Sequence, residues 1–165
     1  TLVSFLEPLD EDFIFSMSKW PLHISLTGRF AINRPDLDTV LKKLSQLAES
    51  ERTLQLSADE DDHFGPHGNI AVTLVKMTSQ LTKLHLQITD LLEKSNAKFD
   101  EPQYNRDGYM AHVSIHGNNR VHKNDLLQIS NMSLVDMFPD QDIKKRRVLK
   151  NWPFKHMSNI FSNTN

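Results

Sequence analysis

At 165 residues, 38% of them hydrophobic and 24% charged, the chain suits one soluble domain with one core. A formal charge of -2 excludes a broadly basic surface of the kind that coats nucleic acid, while leaving room for a local basic cleft. The absence of cysteine removes disulfides, thiolate nucleophiles and cysteine-bound zinc.

In chain order, residues 1–9 read as a first strand and residues 10–20 as a connection with scattered aromatics and partial helical character. Residues 22–30 read as a strand, because apolar and polar side chains alternate from Leu22 through Thr27. A helix follows. Pro35 suits its first position, Asp36 and Asp38 suit the positive end of its dipole, and Leu37, Val40, Leu41, Leu44 and Leu47 form an apolar stripe. Residues 53–58 alternate as a strand, residues 59–68 read as a loop holding Gly65, Pro66 and Gly68, and Ile70–Val75 is a further strand. Thr78 or Ser79 caps a second helix with Leu81, Leu84, Ile88, Leu91 and Leu92 on one face. A polar loop over 100–108 precedes a strand over 110–116. Residues 126–137 and 144–154, separated by a turn at Pro139-Asp140, read as two more strands, and the tail from Ser158 is expected to fray. Strands and helices mix without a repeating βαβ unit, which favours α+β. The two halves look like a loose internal duplication.

His-x-Ser occurs three times. His156-Met157-Ser158 lies near the end without an alternating strand around it and reads as chance. His23-Ile24-Ser25 and His112-Val113-Ser114 each lie within an alternating run, one in each half. With a period of two, His23, Ser25 and Thr27 share a face opposite Leu22, Ile24 and Leu26. Met110, His112, Ser114 and His116 likewise oppose Ala111, Val113 and Ile115. Either histidine alone reads as a part-buried side chain satisfied by a neighbouring hydroxyl. As a pair they suit phosphodiester chemistry. One imidazole can take a proton from the attacking oxygen and the other can deliver one to the leaving oxygen. The hydroxyls can hold the non-bridging oxygens.

This pair of strand-borne motifs resembles that of the two-histidine (2H) phosphoesterase superfamily, whose LigT-like members are RNA 2',3'-cyclic phosphodiesterases historically called 2'-5' RNA ligases. The resemblance runs through residues 22–30, 70–75 and 108–117, with His23 and His112 separated by 89 positions. Serine stands where threonine is commoner in that superfamily, and Leu22 and Ala111 stand where many members have proline. The resemblance implies a bilobal α+β domain over residues 1–165, with two pseudo-symmetric halves of antiparallel strands and flanking helices around a central cleft. It implies His23 and His112 as catalytic residues, Ser25 and Ser114 as phosphate-binding residues, and no cofactor or metal. The substrate would be an RNA end or nucleotide, with 2',3'-cyclic phosphate hydrolysed to 2'-phosphate. Analogy makes His112 the base and His23 the acid, although the sequence leaves this open. Alternatives are a 3'-5' RNA-trimming exonuclease of the same superfamily and a non-catalytic RNA- or nucleotide-binding module on the same fold.

Further candidates have plainer alternatives. His116 and Arg29 continue the histidine faces and could meet substrate, or could be a rim residue and a surface charge. Trp20, Phe64, Tyr104 and Tyr109 could stack a base or belong to the core. Lys144-Lys145-Arg146-Arg147 could follow an RNA backbone, but reads more simply as a solvated strand edge. His63 and His67 flank a Gly-Pro turn without a matching carboxylate pattern, so an ordinary loop is favoured over a metal hydrolase. No Walker loop, dinucleotide glycine fingerprint, HExxH or Gly-x-Ser-x-Gly occurs. No apolar run approaches the ~20 residues of a membrane span, and a secretory signal pattern is lacking. The expectation is a cytoplasmic protein, monomeric and away from membranes. Asn131-Met132-Ser133 fits a glycosylation acceptor and, without secretion cues, reads as chance.

Overall fold

The structure, a computed structural model, describes residues 1–156. Strand β1 (Leu2–Phe5) is buried throughout, as a strand covered on both faces must be. The stretch expected to be partly helical instead carries β2 (Ile14–Ser16), whose Phe15 is buried between exposed neighbours. β3 (His23–Ser25) keeps only three residues of the expected longer strand, and β4 (Phe30–Ala31) forms separately. Thr27 is therefore buried rather than facing outward with His23.

Helix α1 (Leu37–Ser50) buries Val40, Leu44 and Ala48, following the expected stripe. β5 (Leu54–Phe64) runs straight through the acidic segment expected to be a loop, and β6 (Ile70–Val75) returns beside it. Beyond Ala58 this strand has left the apolar core, so Glu60, Asp61 and His63 are exposed on it and apolar alternation is not needed. A register shift between Ala58 and Asp61 bends it, and Gly65 at φ 87° turns the chain. Helix α2 (Ser79–Glu93) starts where the Thr78 hydroxyl accepts from the Leu81 N–H at 3.2 Å. It buries Leu81, Leu84, His85, Ile88, Thr89 and Leu92. β7 (Lys98–Phe99) and β8 (His112–Ser114) follow. The single strand expected over 126–137 is two: β9 (Leu126–Ile129) and β10 (Asn131–Asp136), which belong to different sheets. β11 (Lys145–Pro153) closes the order.

Two antiparallel sheets result, ordered β2-β11-β10-β1-β3 and β8-β6-β5-β9, with β4-β7 as a separate pair. The fold is α+β with two halves. One apolar cluster gathers Leu2 and Ile24 from the first sheet, Leu56 and Val113 from the second, and Leu44 and Leu84 from the helices. A second cluster of Val3, Phe5, Phe15, Val135 and Val148 covers the other face of the first sheet, with Trp20 against it. Each motif strand is the edge of its own sheet, and the backbones of β3 and β8 come within 8 Å of each other.

The basic run at 144–147 is not a solvated edge. β11 lies between β10 and β2. Arg146 is buried and donates from Nη1 to the carbonyls of Met137, Ile143 and Lys145. Arg147 pairs with Asp140 and Lys145 with Asp142. Among the described residues no helix is long and apolar enough to cross a membrane.

Candidate active site

The two motif strands treat their histidines alike. His23 Nδ1 lies 2.8 Å from the carbonyl of Pro21, and His112 Nδ1 lies 2.8 Å from the carbonyl of Met110. A carbonyl only accepts, so in both rings Nδ1 carries the proton and donates it. Nε2 of each neutral ring is left with a lone pair. In each case the partner is the carbonyl two residues upstream, so the orientation is set locally where the chain enters the strand. Each strand buries its middle residue, Ile24 or Val113, and leaves its histidine and serine half-buried. Among the described residues, neither the Ser25 nor the Ser114 hydroxyl is engaged in a hydrogen bond; the polar contact at Ser25 is to its carbonyl.

Aromatic rings pack against both imidazoles, two on His23 and one on His112. Trp20 lies 4.5 Å from His23 and Phe5, its cross-strand neighbour, 6.0 Å. Phe15 backs Phe5 and Trp20 edge-on. On the other strand Phe64 meets His112 edge-on at 4.7 Å. Burial among these rings pushes the His23 pKa down to about 4, against the Pro21 carbonyl, and the nearby His112 and His116 lower it further. Burial also lowers His112 below the usual histidine range, opposed by the Met110 carbonyl. The approach of β3 to β8 within 8 Å sets His23 and His112 in one neighbourhood.

After β8 the chain folds back at Gly117, with φ 61°, so that His116 and Asn119 pair. These two residues join Ser18, Lys19, Trp20 and Pro21 around an open hollow of about 530 Å³ beside His23.

The structure thus brings together His23, His112, His116, Trp20 and Phe64. Arg29 stands elsewhere, 3.4 Å from Asp100. Tyr104 is exposed in the loop before β8, and Tyr109 stacks on His85 with its hydroxyl 2.8 Å from the Ser25 carbonyl. His63 and His67 are exposed at the β5–β6 turn, and no three metal-ligating side chains converge among the described residues. Of the third His-x-Ser copy, His156 is exposed, and Met157 and Ser158, with the tail expected to fray, lie outside the described residues. Sequence reasoning missed Phe5 within the first strand, Phe15 among the scattered aromatics of the connection, and His85. The position of His85 beside Leu84 and Ile88 on an apolar stripe was a usable signal, since a buried histidine needs partners.

A family model described as the 2'-5' RNA ligase superfamily matches residues 4–134. The fold is similar to a crystal structure of a phosphoesterase, with TM-score 0.54, 11% identity, and coverage of 81% of this chain and 77% of that one. It is also similar to E. coli LigT complexed with NADP+, with TM-score 0.51, 11% identity, and coverage of 81% and 76%. No curated protein sequence matches the chain. The structural likenesses speak for the fold alone, whereas the family match spans most of the sequence. The chain belongs to the 2'-5' RNA ligase superfamily.

Proposed function

We propose that this chain is a metal-independent phosphodiesterase acting on RNA ends or nucleotides, hydrolysing 2',3'-cyclic phosphate to 2'-phosphate. The observation that carries this reading is the matched pair of imidazoles on facing edge strands, each with Nδ1 tied to backbone and Nε2 left over. The described complex of E. coli LigT with NADP+ supports a ligand of nucleotide type. In the reaction, one neutral Nε2 takes a proton from water as the water oxygen bonds to phosphorus. The P–O3' bond breaks, and the other imidazole, entering as imidazolium, protonates O3'. Ser25 and Ser114 hydroxyls donate to the non-bridging oxygens.

Burial lowers both rings. They are coupled, so the single proton that the reaction needs is a property of the pair.

The test is turnover of a 2',3'-cyclic nucleotide with EDTA present, in the wild-type chain and in His23→Ala and His112→Ala. Activity should survive the chelator and fall by about 10²–10⁴-fold in each variant. Full activity in either variant refutes the roles. Release of single nucleotides from an RNA 3' end would point to the trimming branch, and salt-sensitive binding without turnover to a binding module.

A further inference from the structure

We propose that His85 and Tyr109 are positioning residues, a side-chain clamp that sets the His23 strand against the His112 strand. β3 and β8 lie in different sheets, and among the described residues no ladder joins them. Something else must fix their relative placement. The loop that feeds β8 does so through side chains that grip the backbone just after the first motif.

His85 is fully buried on α2, and both ring nitrogens are engaged. Nε2 accepts from the Arg106 N–H at 2.8 Å, so Nδ1 carries the proton and donates it to the Leu26 carbonyl, also at 2.8 Å. Leu26 directly follows Ser25, and Arg106 lies six residues before His112. The neutral Nδ1–H tautomer satisfies both bonds; an imidazolium would set N–H against N–H. The ring lies flat on Tyr109, with centroids 3.9 Å apart and planes 3° apart. The Tyr109 hydroxyl donates to the Ser25 carbonyl at 2.8 Å. Buried Asn105 adds a third bond, accepting from the Gly28 N–H at 3.2 Å. The loop thus holds backbone atoms of Ser25 and Gly28, and His85 of α2, itself bonded to the loop at Arg106, holds Leu26.

The clamp is anchored on its far side too. Arg106 sits at φ 54°, and its guanidinium pairs with Asp90 at 2.7 Å and Glu93 at 2.5 Å on α2. Of these charged groups, Arg106 acts on His85. Burial, with a contribution from Arg106, keeps the imidazole below its usual range and so in the tautomer the bonds require.

Tyr109→Phe is the cleanest probe. It deletes one hydroxyl while keeping the stack on His85, and it would leave intact any stacking of a base on this ring. The readouts are kcat and KM on a 2',3'-cyclic nucleotide, Tm, and NMR titration midpoints of His23 and His112. The expected result is a kcat lower by about 10-fold with KM within about twofold, since a small misplacement costs rate more than binding. Tm should move by no more than about 4 °C, and the midpoint of at least one motif histidine should shift. His85→Gln should give a larger kcat loss of the same kind. The kinetic arm rests on the phosphoesterase reading; the titration arm does not. Unchanged kcat with unchanged midpoints in Tyr109→Phe overturns the clamp. If the wild-type chain turns nothing over, the phosphoesterase reading alone fails. The midpoints then decide: a shift upholds the clamp and constancy overturns it.

Discussion

His23 couples folding to pH in a way that can be measured without any substrate. Its ring is held neutral down to about 4, whereas an unfolded histidine titrates near 6.5. Above pH 6.5 the group is neutral in both states, and the stability it permits is fully present. As pH falls below 6.5 the unfolded chain binds a proton that the folded chain refuses, so stability declines until the folded ring titrates at about 4. The gap sets a ceiling of about 3 kcal/mol at ~1.4 kcal/mol per pH unit. The ring is half-buried, so water screens part of this, and about 1–2 kcal/mol is the expected loss. Urea denaturation of the wild-type chain and of His23→Gln at about pH 7, 5.5 and 4 would measure it. Glutamine keeps a polar side chain but does not titrate. Other groups, such as His85 and His112 with lowered values, change both proteins alike. The wild-type chain should therefore lose about 1–2 kcal/mol more than the variant between pH 7 and 4. Parallel curves would refute the reasoning, since His23 would then be hydrated and the aromatic wall around it ineffective.

Three further outcomes follow from the same geometry. The proposed reaction needs one ring neutral and the other protonated, and both are lowered in the free chain, so kcat/KM should be bell-shaped with its maximum on the acid side of neutrality; a maximum above pH 8 would contradict the proposed pair. Trp20→Ala removes the ring 4.5 Å from His23 and opens the adjoining hollow. It should raise the NMR titration midpoint of His23 and raise KM several-fold, whereas an unmoved midpoint would show that Trp20 does not desolvate the imidazole. Gly108→Ala would place a Cβ 1.9 Å from the Gln103 carbonyl oxygen. Because backbone must move, a loss of about 2–4 kcal/mol is expected by thermal or urea unfolding, and a change below about 0.5 kcal/mol would show that the loop yields easily.

What the sequence revealed follows what local pattern can encode. Both helices were legible, because Val40, Leu44, Leu81, Leu84 and Ile88 keep helical spacing against a continuous core. The far half of β5 was not. Outside the core a strand has no buried face to advertise, and Glu60, Asp61 and Asp62 read as loop. The division of β9 from β10 was hidden for the opposite reason. Apolar side chains recur on both sides of Ser130, and nothing in their pattern marks a change of sheet. β2 owes its existence to pairing with β11, more than a hundred residues away. At the site, the motif histidines and serines were legible as a face of a strand. The carbonyls of Pro21 and Met110 that fix their tautomers were not, because a backbone acceptor carries no residue signature.

The same features explain why the site sits on two strand edges. A free edge ordinarily invites unwanted pairing. Here each edge is three residues long and faces the other across a gap held by Tyr109 of the β8 loop and His85 of α2. The rings are neutral before substrate arrives, because aromatic burial disfavours their cations. In the proposed reaction an anionic phosphodiester between the two Nε2 atoms would favour the cation again and raise both midpoints. Substrate binding would then draw in the proton that the acid needs. Linkage makes this reciprocal: affinity for a phosphate ester should strengthen as pH falls from 7 toward the free-enzyme midpoints. A hydrophobic wall and a charged substrate thus act in opposite directions on one pair of rings. Together they favour the imidazolium in the complex, where it can protonate a leaving oxygen.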